Sequence, residues 1–208
     1  MSRRDCYYWK CDRPAAFHGT GPRPRADEVP EEAIRFALDE HFHPDTLTLS
    51  PAAGQGNHLT WNAELDGKPL FLRIENGPEG DDYLEMESAL LGEVAATGVA
   101  VPGVRGCDAN RSKVPFAWQA LERIPCPDLN QWQKAGTLDV ESIAFEIGAN
   151  VAKWQAIRPA GFGPFDLEAW REDRELVGLH ADYPIYFRLR LERHLDFLVA
   201  RGFLGAAQ

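Results

Sequence analysis

Cysteine, methionine and long apolar runs are all scarce in this chain. Its 208 residues include four cysteines and two methionines. Cys6, Cys11, Cys107 and Cys126 form no Cys-x-x-Cys pair, which sets aside the common zinc and dithiol patterns. They read as free thiols of a reducing compartment, with no metal ligated. No apolar stretch approaches the roughly eighteen residues of a membrane span. The opening Met1-Ser2-Arg3-Arg4-Asp5 lacks the apolar segment of a secretory signal. The expectation is a cytoplasmic protein without a membrane partner. Internal repeats and low-complexity tracts are absent as well.

Clustered positive charge is confined to the head of the chain. Residues 1–26 hold six basic residues (Arg3, Arg4, Lys10, Arg13, Arg23, Arg25) against two acidic ones, net +4, so the rest carries −14 of the overall −10. Such an acidic body does not suit nucleic acid, which needs grouped cations. The head, with Tyr7, Tyr8 and Trp9 interleaved, reads as an arm (residues 1–28) packed on the body. His41 and His43 fall in a loop-like stretch and read as solvated.

What the chain does have is concentrated between Gly54 and Pro102. Gly54-Gln55-Gly56-Asn57-His58 is small and polar and lies between strand-like runs. Glycines there let backbone N–H groups approach a phosphate without an intervening Cβ. Residues 58–65 alternate, with Leu59, Trp61, Ala63 and Leu65 on one face. Asp66-Gly67 is a favoured two-residue hairpin turn. The return strand, 69–75, puts Leu70, Leu72 and Ile74 on one face and Phe71, Arg73 and Glu75 on the other.

A helix is predicted next, entered at Asp81 and Asp82, where negative charge meets the positive end of the helix dipole. It should leave at Thr97-Gly98, with Gly98 as a left-handed cap. Its apolar stripe is Leu84, Leu91, Val94 and Ala95, and Glu87 falls inside that stripe. A carboxylate on a core-facing surface is costly unless a cation or donors satisfy it. Arg73, on the neighbouring strand, is the nearest candidate.

The order of loop, strand cation and helix carboxylate resembles the amino-terminal lobe of the aminoglycoside phosphotransferase and choline kinase-like superfamily, relatives of the protein kinases. The matching residues are Gly54, Gln55, Gly56 and Asn57 for the nucleotide loop, Leu70-Phe71-Leu72-Arg73 for the third strand, and Glu87 for the helix. The run 95–102 is similar to the family's exit from helix to fourth strand. The resemblance implies an α+β, kinase-like fold: a small antiparallel sheet lobe with one helix (29–122), then part of a helical lobe (123–208). It also implies an Arg73–Glu87 ion pair holding the phosphates of ATP, with Mg2+ in the complete enzyme. The family has Lys at the strand position; Arg offers a fork rather than a point charge.

Downstream, 116–121 reads as a further strand. The resemblance makes Glu122-Arg123-Ile124-Pro125 the adenine linker, with Phe71, Leu121, Glu122 and Ile124 at the nucleotide. A helix is predicted over 139–157 from Val140, Ile143, Ala144, Ile147, Val151 and Trp154, and Gln155 stands where the family usually has His. Gly161-Phe162-Gly163-Pro164-Phe165 is similar to the family's Gly-Phe-Gly turn. A last helix is predicted from a cap at Asp182 and Pro184 in its first turn, through Phe187, Leu191, Leu195 and Leu198, to Gly202.

The family's catalytic loop has His-x-Asp, then Asn five residues after the Asp. His180-Ala181-Asp182 matches the first three letters, but Phe187 stands in place of the Asn, so Asp182 reads as a helix cap. On that ground the chain is expected to stop short of the catalytic machinery, to expose helix faces, and to need a further segment or a second copy for activity. Three readings stand open: the ATP-binding portion of a phosphotransferase acting on a hydroxyl of a small, cationic acceptor; a catalytically inactive pseudokinase-like module for nucleotide or a partner; and an assembly protein in which Arg73–Glu87 is only a buried ion pair.

Overall fold

A computed structural model describes residues 3–5, 29–52, 58–75 and 81–205. The chain divides into two compact units, residues 24–158 and residues 1–23 with 159–208.

The larger unit begins with α1 (Glu31–Phe42), a helix the sequence pattern did not announce. Ile34, Ala37 and Leu38 form its buried stripe. Its last turn contains His41, whose ring meets Trp118 edge-on at 5.1 Å, and His43 is the left-handed cap. The pair is therefore a helix end, not a loop, with one imidazole leaning on the core.

Five strands follow: β1 (Leu47–Pro51), β2 (Leu59–Leu65), β3 (Lys68–Ile74), β4 (Val104–Asp108) and β5 (Trp118–Glu122). They form an antiparallel sheet in the order β1-β2-β3-β5-β4. The β2–β3 hairpin is the expected one. Asp66 and Gly67 take φ of 49° and 75°, the doubly left-handed turn that matches strand twist. Asp66 Oδ1 accepts from the Thr46 N–H at 2.8 Å and anchors the turn to the chain before β1. Leu59, Trp61, Ala63, Leu65, Leu70, Leu72 and Ile74 are all buried, packed with the α1 stripe, Trp118 and Ala120 in one core. Period-two alternation thus gives the sheet one oily face, and α1 covers it.

The other face receives α2 (Tyr83–Ala96). Its ends are as expected, with Gly98 at φ 81°. Its stripe is not. Leu84 and Met86 are buried, Leu91 and Val94 only half-buried, and Ala95 exposed. The carboxyl-terminal half of α2 therefore lacks the cover that the stripe presumed, while Met86 is wholly buried. Short α3 (Leu129–Lys134) and α4 (Val140–Trp154) complete the unit. Asp139 caps α4 by accepting from the Ser142 N–H at 3.1 Å. Of the predicted α4 stripe, Ile143 and Val151 are half-buried, whereas Val140, Ala144, Ile147 and Trp154 are exposed.

The smaller unit holds β6 (Phe162–Phe165), α5 (Leu167–Asp173), β7 (Gly178–His180), α6 (Tyr183–Phe187) and α7 (Leu191–Ala200). The Gly-Phe-Gly segment is a short strand rather than a turn, pairing antiparallel with β7. Gly161 and Gly163 bend it, at φ 76° and 83°, values an L-side chain rarely adopts. Arg4 donates from Nη1 to the Leu179 carbonyl at 2.6 Å. The single helix predicted from Asp182 is two: Arg190, at φ 55°, breaks it. The buried residue of α6 is Tyr186, not Phe187, and its ring lies 5.3 Å from His180. Docking of Tyr186 on the β6–β7 pair fixes α6, and the chain turns before the Leu191/Leu195 stripe begins.

Candidate nucleotide-anchoring site

Arg73 sits near the end of β3, on the face away from α1. Its β5 partner in register is Gln119, as Phe71 is paired with Leu121. Period-two geometry puts Phe71, Arg73, Gln119 and Leu121 on one face, which α2 meets with Glu87 and Ser88.

The predicted ion pair is present. Arg73 Nη2 donates to Glu87 Oε2 at 2.7 Å, and the two side chains are 24% and 29% exposed. The same nitrogen lies 3.1 Å from His58 Nδ1. Nη1 donates to Gln119 Oε1 at 2.8 Å, and Gln119 Nε2 donates to Ser88 Oγ at 2.7 Å. The Ser88 hydroxyl in turn donates to the Leu84 carbonyl at 2.8 Å. The cation is thus tied to α2 twice, directly through Glu87 and through wholly buried Gln119. Its Nε–H and a second Nη1 hydrogen have no partner among the described residues.

Cys107 lies beside Gln119 in the β4–β5 register. Burial pushes its thiol above the ordinary 9.0, the Ser88 hydrogen bond opposes that, and Glu85, Asp108 and Glu87 add to it. Gln119 and Ser88 were not singled out in the sequence, and His58 was named there only as the last residue of the small polar segment. Gln119 alone left a signal, as a polar residue inside the apolar run 116–121.

The other expected site residues are distributed as follows. Gly54, Gln55, Gly56 and Asn57 lie outside the described residues. Phe71 is half-buried and Leu121 buried, side by side. Glu122 ends β5; its N–H donates to the Gly103 carbonyl at 2.7 Å and its carboxylate meets Arg105 at 3.1 Å. Its backbone donor is therefore already used. Ile124 is 57% exposed, beyond the sheet. His180 is in β7 and buried, and Asp182 Oδ1 accepts from the Ile185 N–H at 3.2 Å, so the latter is a helix cap as predicted. No group of three or more His, Cys, Asp or Glu among the described residues could hold a metal ion. No described helix is long and apolar enough to cross a membrane.

An antiparallel sheet, a helix on one face and a strand-to-helix ion pair are the parts of a kinase-like α+β fold. A model of the Phosphotransferase enzyme family matches residues 48–201, and the chain belongs to that family. A crystal structure from Ralstonia eutropha JMP134, provisionally named an aminoglycoside phosphotransferase, is similar at 20% identity and a TM-score of 0.39, over 48% of this chain and 29% of that one. The chain thus spans less than a third of that protein. No curated protein matches it.

Proposed function

We propose that this chain is the ATP-holding portion of a small-molecule phosphotransferase that moves the γ-phosphate to a hydroxyl of a small cationic acceptor. The observation that carries this reading is the Arg73–Glu87 contact at 2.7 Å. Neutralising one side of the guanidinium by Glu87 while Gln119 holds another leaves an anchored cation with donors to spare among the described residues. A polyphosphate is the ligand such a fork suits. The apolar Phe71–Leu121 pair beside it suits the flat face of a base, with 54–57 as the phosphate loop. The acidic body favours a cationic acceptor.

ATP, when bound, supplies the phosphoryl group and brings Mg2+ with it. Among the described residues no group of three or more His, Cys, Asp or Glu is placed to hold that metal. Their part is to bind and orient: Arg73 at the phosphates, Glu87 and Gln119 holding Arg73.

A second reading, a nucleotide-holding module without turnover, draws support from Asp182, whose carboxylate caps α6. Thermal melting with and without Mg-ATP tests nucleotide binding, because a ligand selective for the folded state raises the melting temperature by mass action. Phosphate transfer to a panel of amino alcohols and aminoglycosides then separates the readings. No shift at millimolar Mg-ATP would refute both.

A further inference from the structure

Arg111 lies in the loop between β4 and β5 at φ 58°, a left-handed conformation unusual for a residue with a Cβ. Its guanidinium is engaged on every side. Nε donates to Glu75 Oε1 at 2.7 Å, and Nη2 pairs with Glu75 Oε2. Nη1 donates to Asp82 Oδ1 at 3.2 Å and to the Ala109 carbonyl at 3.0 Å. Nη2 also donates to the Asp81 carbonyl at 2.8 Å. Glu75 Oε1 accepts from the Ala117 N–H at 2.7 Å. This is a two-pronged Arg–carboxylate pair, the strongest geometry such groups adopt. The Glu75 hydrogen bond drives the guanidinium above its ordinary value, against the opposing effect of burial, so the charge is permanent.

The partners of Arg111 define its place. Glu75 follows Arg73 by two residues and shares its side of the sheet. Asp82 is the residue at which α2 starts, and Glu87 is on the second turn of that helix. Arg111 therefore joins the strand that bears the cation to the helix that bears the carboxylate, from a third segment. Asp82 gives its side chain to this clamp and makes no cap bond of its own.

We propose that Arg111 is a positioning residue for the Arg73–Glu87 anchor: it pins the first turn of α2 to the end of β3 so that Glu87 stays within reach of Arg73. This rests on the nucleotide reading of the site. The hydrogen bonds and ion pairs of Arg111 go to Glu75, Asp81, Asp82 and Ala109 rather than to Arg73 or Glu87, so it acts through the placement of α2.

The test compares the unaltered chain with Arg111→Gln, Arg111→Lys and Leu38→Ala, each well below its melting temperature. Leu38 packs on the other sheet face and serves as a destabilised control. Mg-ATP affinity is measured by calorimetry, and backbone hydrogen exchange in α2 is followed without nucleotide. Arg111→Gln is expected to weaken Mg-ATP roughly tenfold and to speed exchange across α2. Lys keeps the charge without the fork and should recover only part of the affinity. Leu38→Ala should melt earlier yet bind Mg-ATP as before. Unchanged affinity with unchanged exchange in Arg111→Gln overturns the proposal, as does an equal affinity loss in Leu38→Ala.

If Arg111→Gln does not fold, Asp82→Asn removes one arm alone and should give a smaller loss in the same direction; no loss overturns the proposal. Failure of the unaltered chain to bind Mg-ATP would instead refute the nucleotide reading. Control of α2 by Arg111 would then stand or fall on the exchange rates.

Discussion

Arg73 donates through Nη1 to Gln119 at 2.8 Å, and Gln119 is the most deeply buried polar side chain of the sheet, at 0% exposure. Its amide oxygen faces the cation while its amide nitrogen serves Ser88 on α2. One side chain thus satisfies a strand and a helix at once. Buried polar groups of this kind stabilise only when every member is satisfied.

Gln119→Leu keeps the bulk and removes both functions. Ser88 loses its donor and Arg73 one of its acceptors. The expected cost is about 1–3 kcal/mol, read from urea denaturation. Mg-ATP affinity should fall as well, because the guanidinium is then held to α2 through Glu87 alone. A variant as stable as the parent would mean that Gln119 is not wedged between Arg73 and Ser88.

Arg73→Met tests the anchor itself. At a Mg-ATP concentration of 100 times Kd, the parent should gain about 2.7 kcal/mol of stability from the ligand. The variant should gain none. It should also be less stable without ligand, since Glu87 is left partly buried without its cation. Adding Glu87→Gln should restore part of that loss without restoring the nucleotide response. Melting curves of the three proteins, with and without Mg-ATP, separate these effects. A full ligand response in Arg73→Met would leave Arg73–Glu87 as a structural pair only.

The legible parts of this molecule were those governed by short-range rules. The hairpin followed from alternation and Asp66-Gly67, and the ion pair from a carboxylate inside a helical stripe that required a partner. Features that depend on distant neighbours were not legible. Met86 is buried and Ala95 exposed because of what packs over each part of α2, which periodicity does not encode. Tyr186 rather than Phe187 is buried because β6–β7 lies against it, and that contact breaks a continuous apolar pattern into α6 and α7. Arg111 was not singled out in the sequence; only the fold brings Glu75 and Asp82 to it. Gln119 is the intermediate case, an odd polar letter whose meaning depends on its register with Arg73.

Gly67→Ala separates fold stability from the site. Gly67 takes φ 75° and no atom crowds the space its Cβ would fill, so the cost comes from backbone conformation alone. About 1–2 kcal/mol is expected, as a lower denaturation midpoint. The turn closes the end of β2–β3 remote from His58 and Arg73, so Mg-ATP affinity of the folded fraction should not change. A loss of affinity equal to that of Arg73→Met would show that hairpin register, not the guanidinium, limits binding.

Cys107 and Cys126 offer a probe of the buried side of the site. Cys126 is exposed, whereas Cys107 is partly buried beside Ser88 and Gln119. The thiolate is the reactive form, and burial, with nearby Glu85, Asp108 and Glu87, raises the Cys107 pKa above 9.0 against the pull of Ser88. At neutral pH iodoacetamide should therefore label Cys126 well ahead of Cys107, as peptide mass spectrometry would show. The linkage runs one way. The folded state holds the Cys107 proton more tightly than the unfolded chain, so this contribution to stability is intact below the ordinary thiol value. It is lost as pH rises from there through the folded-state value. Cys107→Ala should flatten that part of the alkaline decline in denaturation midpoints. Equal labelling of the two thiols, or an unchanged slope in the variant, would contradict the burial of Cys107 behind the Gln119–Ser88 pair.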